Sequence, residues 1–134
     1  MPASTADWSR PQPTASRPTA QDAAERGDLY SESTLRSAVL WFLRLAQDRP
    51  DDAVAEIRWS RERWSQEGFH MQHFMQLTAT VETALYRGDG AAAWSAMDAA
   101  WKPLVRSQLL RVVEITRCDA WHLRCRAALA AVIA

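Results

Sequence analysis

Glycine is scarce in this chain, four in 134 residues, and no stretch alternates apolar with polar side chains. Without that alternation there is no half-buried strand. The glycines and the six prolines fall in the leader or between apolar-periodic segments, so the fold class is all-α. Long apolar runs are missing too. Charged residues interrupt every one short of the ~18 residues that a membrane span requires, so no membrane association is expected. The first twenty residues lack the apolar core of a secretory signal, which points to a cytoplasmic protein. Only two cysteines occur, Cys118 and Cys125, seven apart on one expected helix. That spacing separates their Cα atoms by about 10 Å, too far for a disulfide. Reduced thiols fit the same compartment.

Charge of one sign is also lacking. Sixteen basic residues, Lys102 the single lysine among them, balance sixteen acidic ones. The balance is uneven along the chain: from Lys102 onward six basic residues face Glu114 and Asp119, a local excess of +4 against −4 elsewhere. A nucleic-acid partner wants a basic domain with a concentrated basic surface, and a pI near 6.8 argues against one.

What is present is interrupted helix. Residues 1–20 are dominated by Pro, Ala, Ser and Thr, with prolines at 2, 11, 13 and 18, and read as a disordered leader. Pro11-Gln12-Pro13 supplies no PxxP core for an SH3-like groove. A helical-repeat domain is expected over 21–134, opening with a short helix through QDAAER that ends at Gly27. Five main helices follow. The first covers 34–47, capped by Ser31 or Ser33. The second begins at Pro50 with Asp51 and Asp52 in its first turn and stops at Gly68. The third spans 70–87, with Phe74, Leu77, Val81, Ala84 and Leu85 on one face. The fourth spans 91–101, with Trp94, Met97 and Trp101 recurring at helical spacing before Pro103 closes it. The fifth is long, 107–132. Gly88-Asp89-Gly90 then marks a tight turn in one antiparallel hairpin, and the break at residues 47–52 marks the turn of another.

Hairpins in series bury their faces by stacking. Trp64 and Trp101 lie 37 residues apart and Ala53 and Ala92 lie 39 apart, within the period of tetratricopeptide-like arrays. The expected architecture is a short right-handed solenoid of tetratricopeptide-like hairpins.

Chemistry-bearing residues are few. Cys118, His122 and Cys125 share one helix stripe at i, i+4 and i+7, and thiolate and imidazole are zinc ligands. The close Cys-x-x-Cys pair of a structural site is absent, and Ile115 and Leu129 lie on the same stripe, so a buried face is expected and no metal. His70 and His73 open a helix without HExxH and read as packing at the hairpin entrance. Glu56, Glu62 and Glu67 alternate with arginines as a solvated surface would. No GxSxG elbow occurs. Arg117, Trp121 and Arg124 share another face of the last helix. They form either a surface for an acidic or phosphorylated segment or, with Glu114 on Arg117 and Trp121 packed on a neighbouring hairpin, ordinary structure.

Four stretches carry a likeness: RGDLYSESTLR (26–36), RWSQEGFHMQHFMQL (63–77), LYRGDGAAAW (85–94) and LLRVVEITRCDAWHLRCRAALA (109–130). Together they resemble the tetratricopeptide-like C-terminal region of large multidomain bacterial serine/threonine kinases, of the myxobacterial and planctomycete kind. The resemblance covers residues 25–134 and implies a tail that receives signals or partners. The chain has no Gly-rich loop, VAIK-like lysine, HRD or DFG, so no kinase residue carries over and no enzyme is expected. The expected function is a non-catalytic protein- or peptide-binding module in bacterial kinase signalling, without a cofactor. The alternative is a structural segment that completes a longer solenoid.

Overall fold

The computed structural model describes residues 28–133, and everything regular among them is helix. The proline-rich leader and the short helix expected at QDAAER lie outside the described residues. The first helical stretch, α1, runs as Leu29–Leu35, a π-helical turn Arg36–Leu40, and Trp41–Ala46. Then come α2 (Pro50–Arg63), α3 (Met71–Tyr86), α4 (Gly90–Arg106), the single turn α5 (Leu109–Val112) and α6 (Glu114–Ile133). Among the described residues no helix is long and apolar enough to cross a membrane.

Several boundaries differ from the sequence expectation, each for a local reason. The cap of α1 is Asp28, whose carboxylate accepts from the Ser31 amide at 3.0 Å, so the helix starts five residues early. Ser33 goes to the interior instead. The stop of α2 comes at Arg63 rather than Gly68: Trp64 turns extended, and the Gln66 side-chain amide donates to the Arg61 and Trp64 carbonyls at 2.9 and 2.8 Å. Helix α4 runs five residues past Trp101 and carries Pro103 inside it. Ala99 and Pro103 are both exposed, so the carbonyl that loses its donor faces water. The expected fifth helix is broken at Val113, which is extended at φ −113° and ψ 99°.

Histidines 70 and 73 hold the start of α3. The His70 backbone N–H donates to His73 Nδ1 at 2.9 Å, and His73 Nε2 lies 2.9 Å from the Ser65 carbonyl, tying the preceding loop to the helix.

The turns between α1 and α2 and between α3 and α4 share one hydrogen-bond pattern forty positions apart. Asp48 N–H donates to Leu45 and Arg49 N–H to Arg44; Gly88 N–H donates to Leu85 and Asp89 N–H to Ala84. Asp48 and Gly88 occupy the left-handed region at φ 56° and 74°. Gly90 is needed for another reason. A Cβ there would overlap the Ala130 carbonyl and come within 2.8 Å of the Ala131 nitrogen, so α4 and α6 approach at backbone distance. The buried residue just after that turn is Ala93, not Ala92.

The apolar core lies between α3, α4 and α6: Phe74, Leu77 and Val81; Ala93, Met97 and Leu104; Ala120, Leu123 and Ala127. Helix α1 packs on α2, and α2 on α3. The seam between α1, α2 and α3 buries Leu45, Ala53, Ile57 and Ala79 and adds a polar cluster to them. Ser33 and Ser37 hydroxyls each meet the Ser60 hydroxyl at 2.7 Å, and the Gln76 amide donates to Ser60 at 3.1 Å. The wide π turn falls where both α1 serines reach that one hydroxyl.

Candidate functional site

Helix α3 packs against both α1 and α6 and forms the floor of a groove between them. Its groove-facing residues, Met71, Met75, Thr78, Glu82 and Tyr86, follow helical spacing beside the stripe that enters the core. Two adjoining cavities of about 490 and 600 Å³ share Trp41, Thr78 and Glu82. From α1 the groove takes Trp41, Phe42 and Leu45; from α6 it takes Ile115, Asp119, His122 and Arg126.

Its electrostatics are muted. Arg126 grips Glu82 through both guanidinium nitrogens, Nη2 at 2.9 Å, which joins α6 to the floor. The Asp119 carboxylate sits on the α6 wall without an ion-pair partner among the described residues. At the lower end of the groove, the Tyr86 hydroxyl donates to Asp48 at 2.7 Å. That bond to Asp48, with slight burial and the neighbouring charge, holds the Tyr86 proton above the usual tyrosine range. Apolar side chains make up most of the rest, Met71, Met75, Trp41 and Phe42 among them, and methionine-bearing surfaces adapt to apolar side chains of varied shape.

Arg117, Trp121 and Arg124 lie on another face of α6. The Arg124 guanidinium carbon stands 4.2 Å from the Trp101 ring centre and 4.9 Å from that of Trp94, while Nη2 reaches Asp98 at 3.4 Å. Trp121, half exposed, meets Trp101 edge-on at 4.8 Å. Arg117 is exposed and pairs with Glu114 at 3.0 Å. Arg124 and Trp121 thus staple α6 to α4. Of the basic residues from Lys102 onward, Arg124 and Arg126 are matched to carboxylates outside that stretch, Asp98 and Glu82, which halves the local positive excess.

The Cys118, His122 and Cys125 stripe is not a buried face. All three are exposed, as are Ile115 and Leu129, while the inward stripe of α6 is Thr116, Ala120, Leu123 and Ala127. The reason is steric: with α4 at backbone distance, only small side chains fit most of the inward positions. Among the described residues, no three of His, Cys, Asp and Glu come together as a metal would require.

Sequence reasoning does not mark the groove residues Trp41, Met71, Met75 and Glu82. The available signal is a second stripe on α3 beside the core stripe, which indicates a helix contacted on two sides. Comparison with protein-family models, with curated proteins and with solved structures finds no match.

Proposed function

We propose that this chain is a non-catalytic protein-interaction module that holds an apolar peptide segment in the groove over α3. The observation that carries the reading is the Trp41, Phe42, Met71, Met75 lining, which suits a helix-in-groove or extended-peptide ligand. The repeated turn pattern at Asp48 and Gly88 supports a tetratricopeptide-like arrangement, with α1, α3 and α6 lining the inner face. A setting in bacterial serine/threonine kinase signalling rests on the sequence resemblance alone. Two exposed unpaired thiols favour the cytoplasm. The second reading, a segment completing a longer stack, is favoured by the exposed apolar face of α6.

Selection of peptides from a random library tests the site. Apolar peptides are expected, with binding weakened at least about tenfold by Met75→Glu, roughly the loss of one buried anchor, and unchanged by Arg117→Glu. Acidic or phosphorylated peptides that depend on Arg117 would move the site to the other face of α6.

A further inference from the structure

We propose that the cavity between α2, α3 and the start of α4 is a binding site for a small organic phosphate. It measures about 310 Å³, at the small end of the range for small-molecule sites. Two stripes of matched spacing line it. Val54, Ile57, Arg58 and Arg61 recur at i, i+3, i+4 and i+7 on α2, and Thr80, Thr83, Ala84 and Arg87 do the same along α3 to its C-cap. At 100° per residue the Thr80 stripe lies on the side of α3 opposite Met71, Met75 and Glu82. The cavity is therefore separate from the peptide groove, and neither site depends on the other.

Its lining is cationic over an apolar base. Three guanidinium side chains stand against one carboxylate, Asp89, which is engaged in capping α4 through the Ala92 N–H at 2.9 Å. Arg58 has no hydrogen bond or ion pair among the described residues, and the Arg61 side chain has one, to the Thr80 hydroxyl at 3.3 Å. Arg87 pairs with Asp51, which is 97% exposed, and a pair so open to water is weak enough to exchange for a ligand. A second observation comes from the wall itself. Thr83 is only 3% exposed, and its buried hydroxyl has no hydrogen-bond partner, a state that native structures seldom tolerate without a reason. A phosphate monoester supplies that reason. Its three terminal oxygens accept from the Arg58 and Arg61 guanidinium groups and from the Thr83 hydroxyl, while Val54, Ile57 and Ala84 take the apolar body of the ester. A carboxylate, with two oxygens and a single charge, satisfies fewer of these donors.

Phenyl phosphate is the probe. Titrated into the full chain, it should shift the NMR signals of the Thr80, Thr83, Ala84 and Ala92 amides and leave those of Met71 and Met75 in place. Benzoate and phenol should bind at least about tenfold more weakly, because each lacks part of the charge and oxygen set. Arg58→Gln with Arg61→Gln, both exposed, should preserve the helical circular dichroism and abolish the shifts. Thr83→Val keeps the side-chain shape and removes the hydroxyl. It should melt no lower than the parent, since an unpartnered buried group is lost, yet bind phenyl phosphate at least about tenfold more weakly. No shift at these four amides up to about 10 mM phenyl phosphate overturns the proposal. So does binding that survives the double substitution, or benzoate or phenol binding as tightly as the phosphate. A Thr83→Val variant that binds phenyl phosphate like the parent would also overturn it, for the arginines would then be acting as a charged surface without a built site.

Discussion

The α1–α2 hairpin and the α3–α4 hairpin turn in the same way and are held by different chemistry. Between α1 and α2 directional contacts stand beside the buried Leu45, Ala53 and Ile57: three serine hydroxyls converge, and Glu56 accepts from Arg36 and, at 3.0 Å, from Arg44. Arg36 and Arg63 also stack on Trp59, at 4.2 and 4.5 Å from its ring centre. Between α3 and α4 the contacts are apolar, with Val81, Met97 and Leu104 fully buried, and α6 closes the other side with Ala120, Leu123 and Ala127. Hydrogen bonds add about 1 kcal/mol each once the exchange with water is counted, whereas a buried apolar side chain gives about 1.5–3 kcal/mol. The same turn geometry therefore joins a half whose smaller apolar core is supplemented by directional partners to a half stabilised mainly by burial. The first hairpin should be the part that opens first.

The largest expected effect tests that division. Met97→Ala should cost about 2–5 kcal/mol in urea denaturation, the range for a fully enclosed side chain that leaves a cavity. Ser60→Ala should cost about 1–3 kcal/mol, because the Ser33 hydroxyl and the Gln76 amide lose their shared partner in the interior. Hydrogen exchange separates the two further. Ser60→Ala should accelerate exchange in α1 and α2 and spare α4 and α6; uniform acceleration would make the two halves one cooperative unit.

The two glycines of the second turn sharpen the comparison. Gly90→Ala places a methyl against the α6 backbone, an overpacking change expected to cost about 1–3 kcal/mol or more. Gly88→Ala meets no atom and is penalised only for its φ of 74°, by about 1 kcal/mol. Should thermal melts rank Gly88→Ala as the more damaging, α6 does not dock on Gly90 as described.

The helices are legible in the sequence because their signals are local: Pro50 with two aspartates, the Gly88 turn, and the stripe Phe74, Leu77, Val81 all act within one or two turns of chain. Ser33 and Ser37 are not legible as interior residues, since a serine before an apolar run looks like a cap and only Ser60, on the next helix, makes it a core residue. The inward face of α6 is hidden for a related reason. Side-chain size points to Ile115, Cys118 and Leu129, but the distance to α4 selects for alanine, and that distance is a tertiary fact. The groove depends on three helices at once, so its lining cannot be assembled from any single stripe.

The smallest effect concerns the side-chain bond from the first turn to the end of α3. The Tyr86 hydroxyl donates to Asp48, which sits in the α1–α2 turn at φ 56°. The bond stabilises the protonated phenol, so the folded-state pKa lies above the ordinary value of about 10. Its contribution is therefore present below that ordinary value and is lost as pH rises through the folded one. Following phenolate absorbance against pH, Asp48→Asn should bring the Tyr86 ionisation down, with Tyr86→Phe assigning the signal against Tyr30. Asparagine tolerates the left-handed conformation, so the turn itself should persist and circular dichroism should not change. An unshifted titration in Asp48→Asn would mean that the two hairpins are not joined through Tyr86, leaving the Arg87–Asp51 ion pair and packing to hold the end of α3 to the first hairpin.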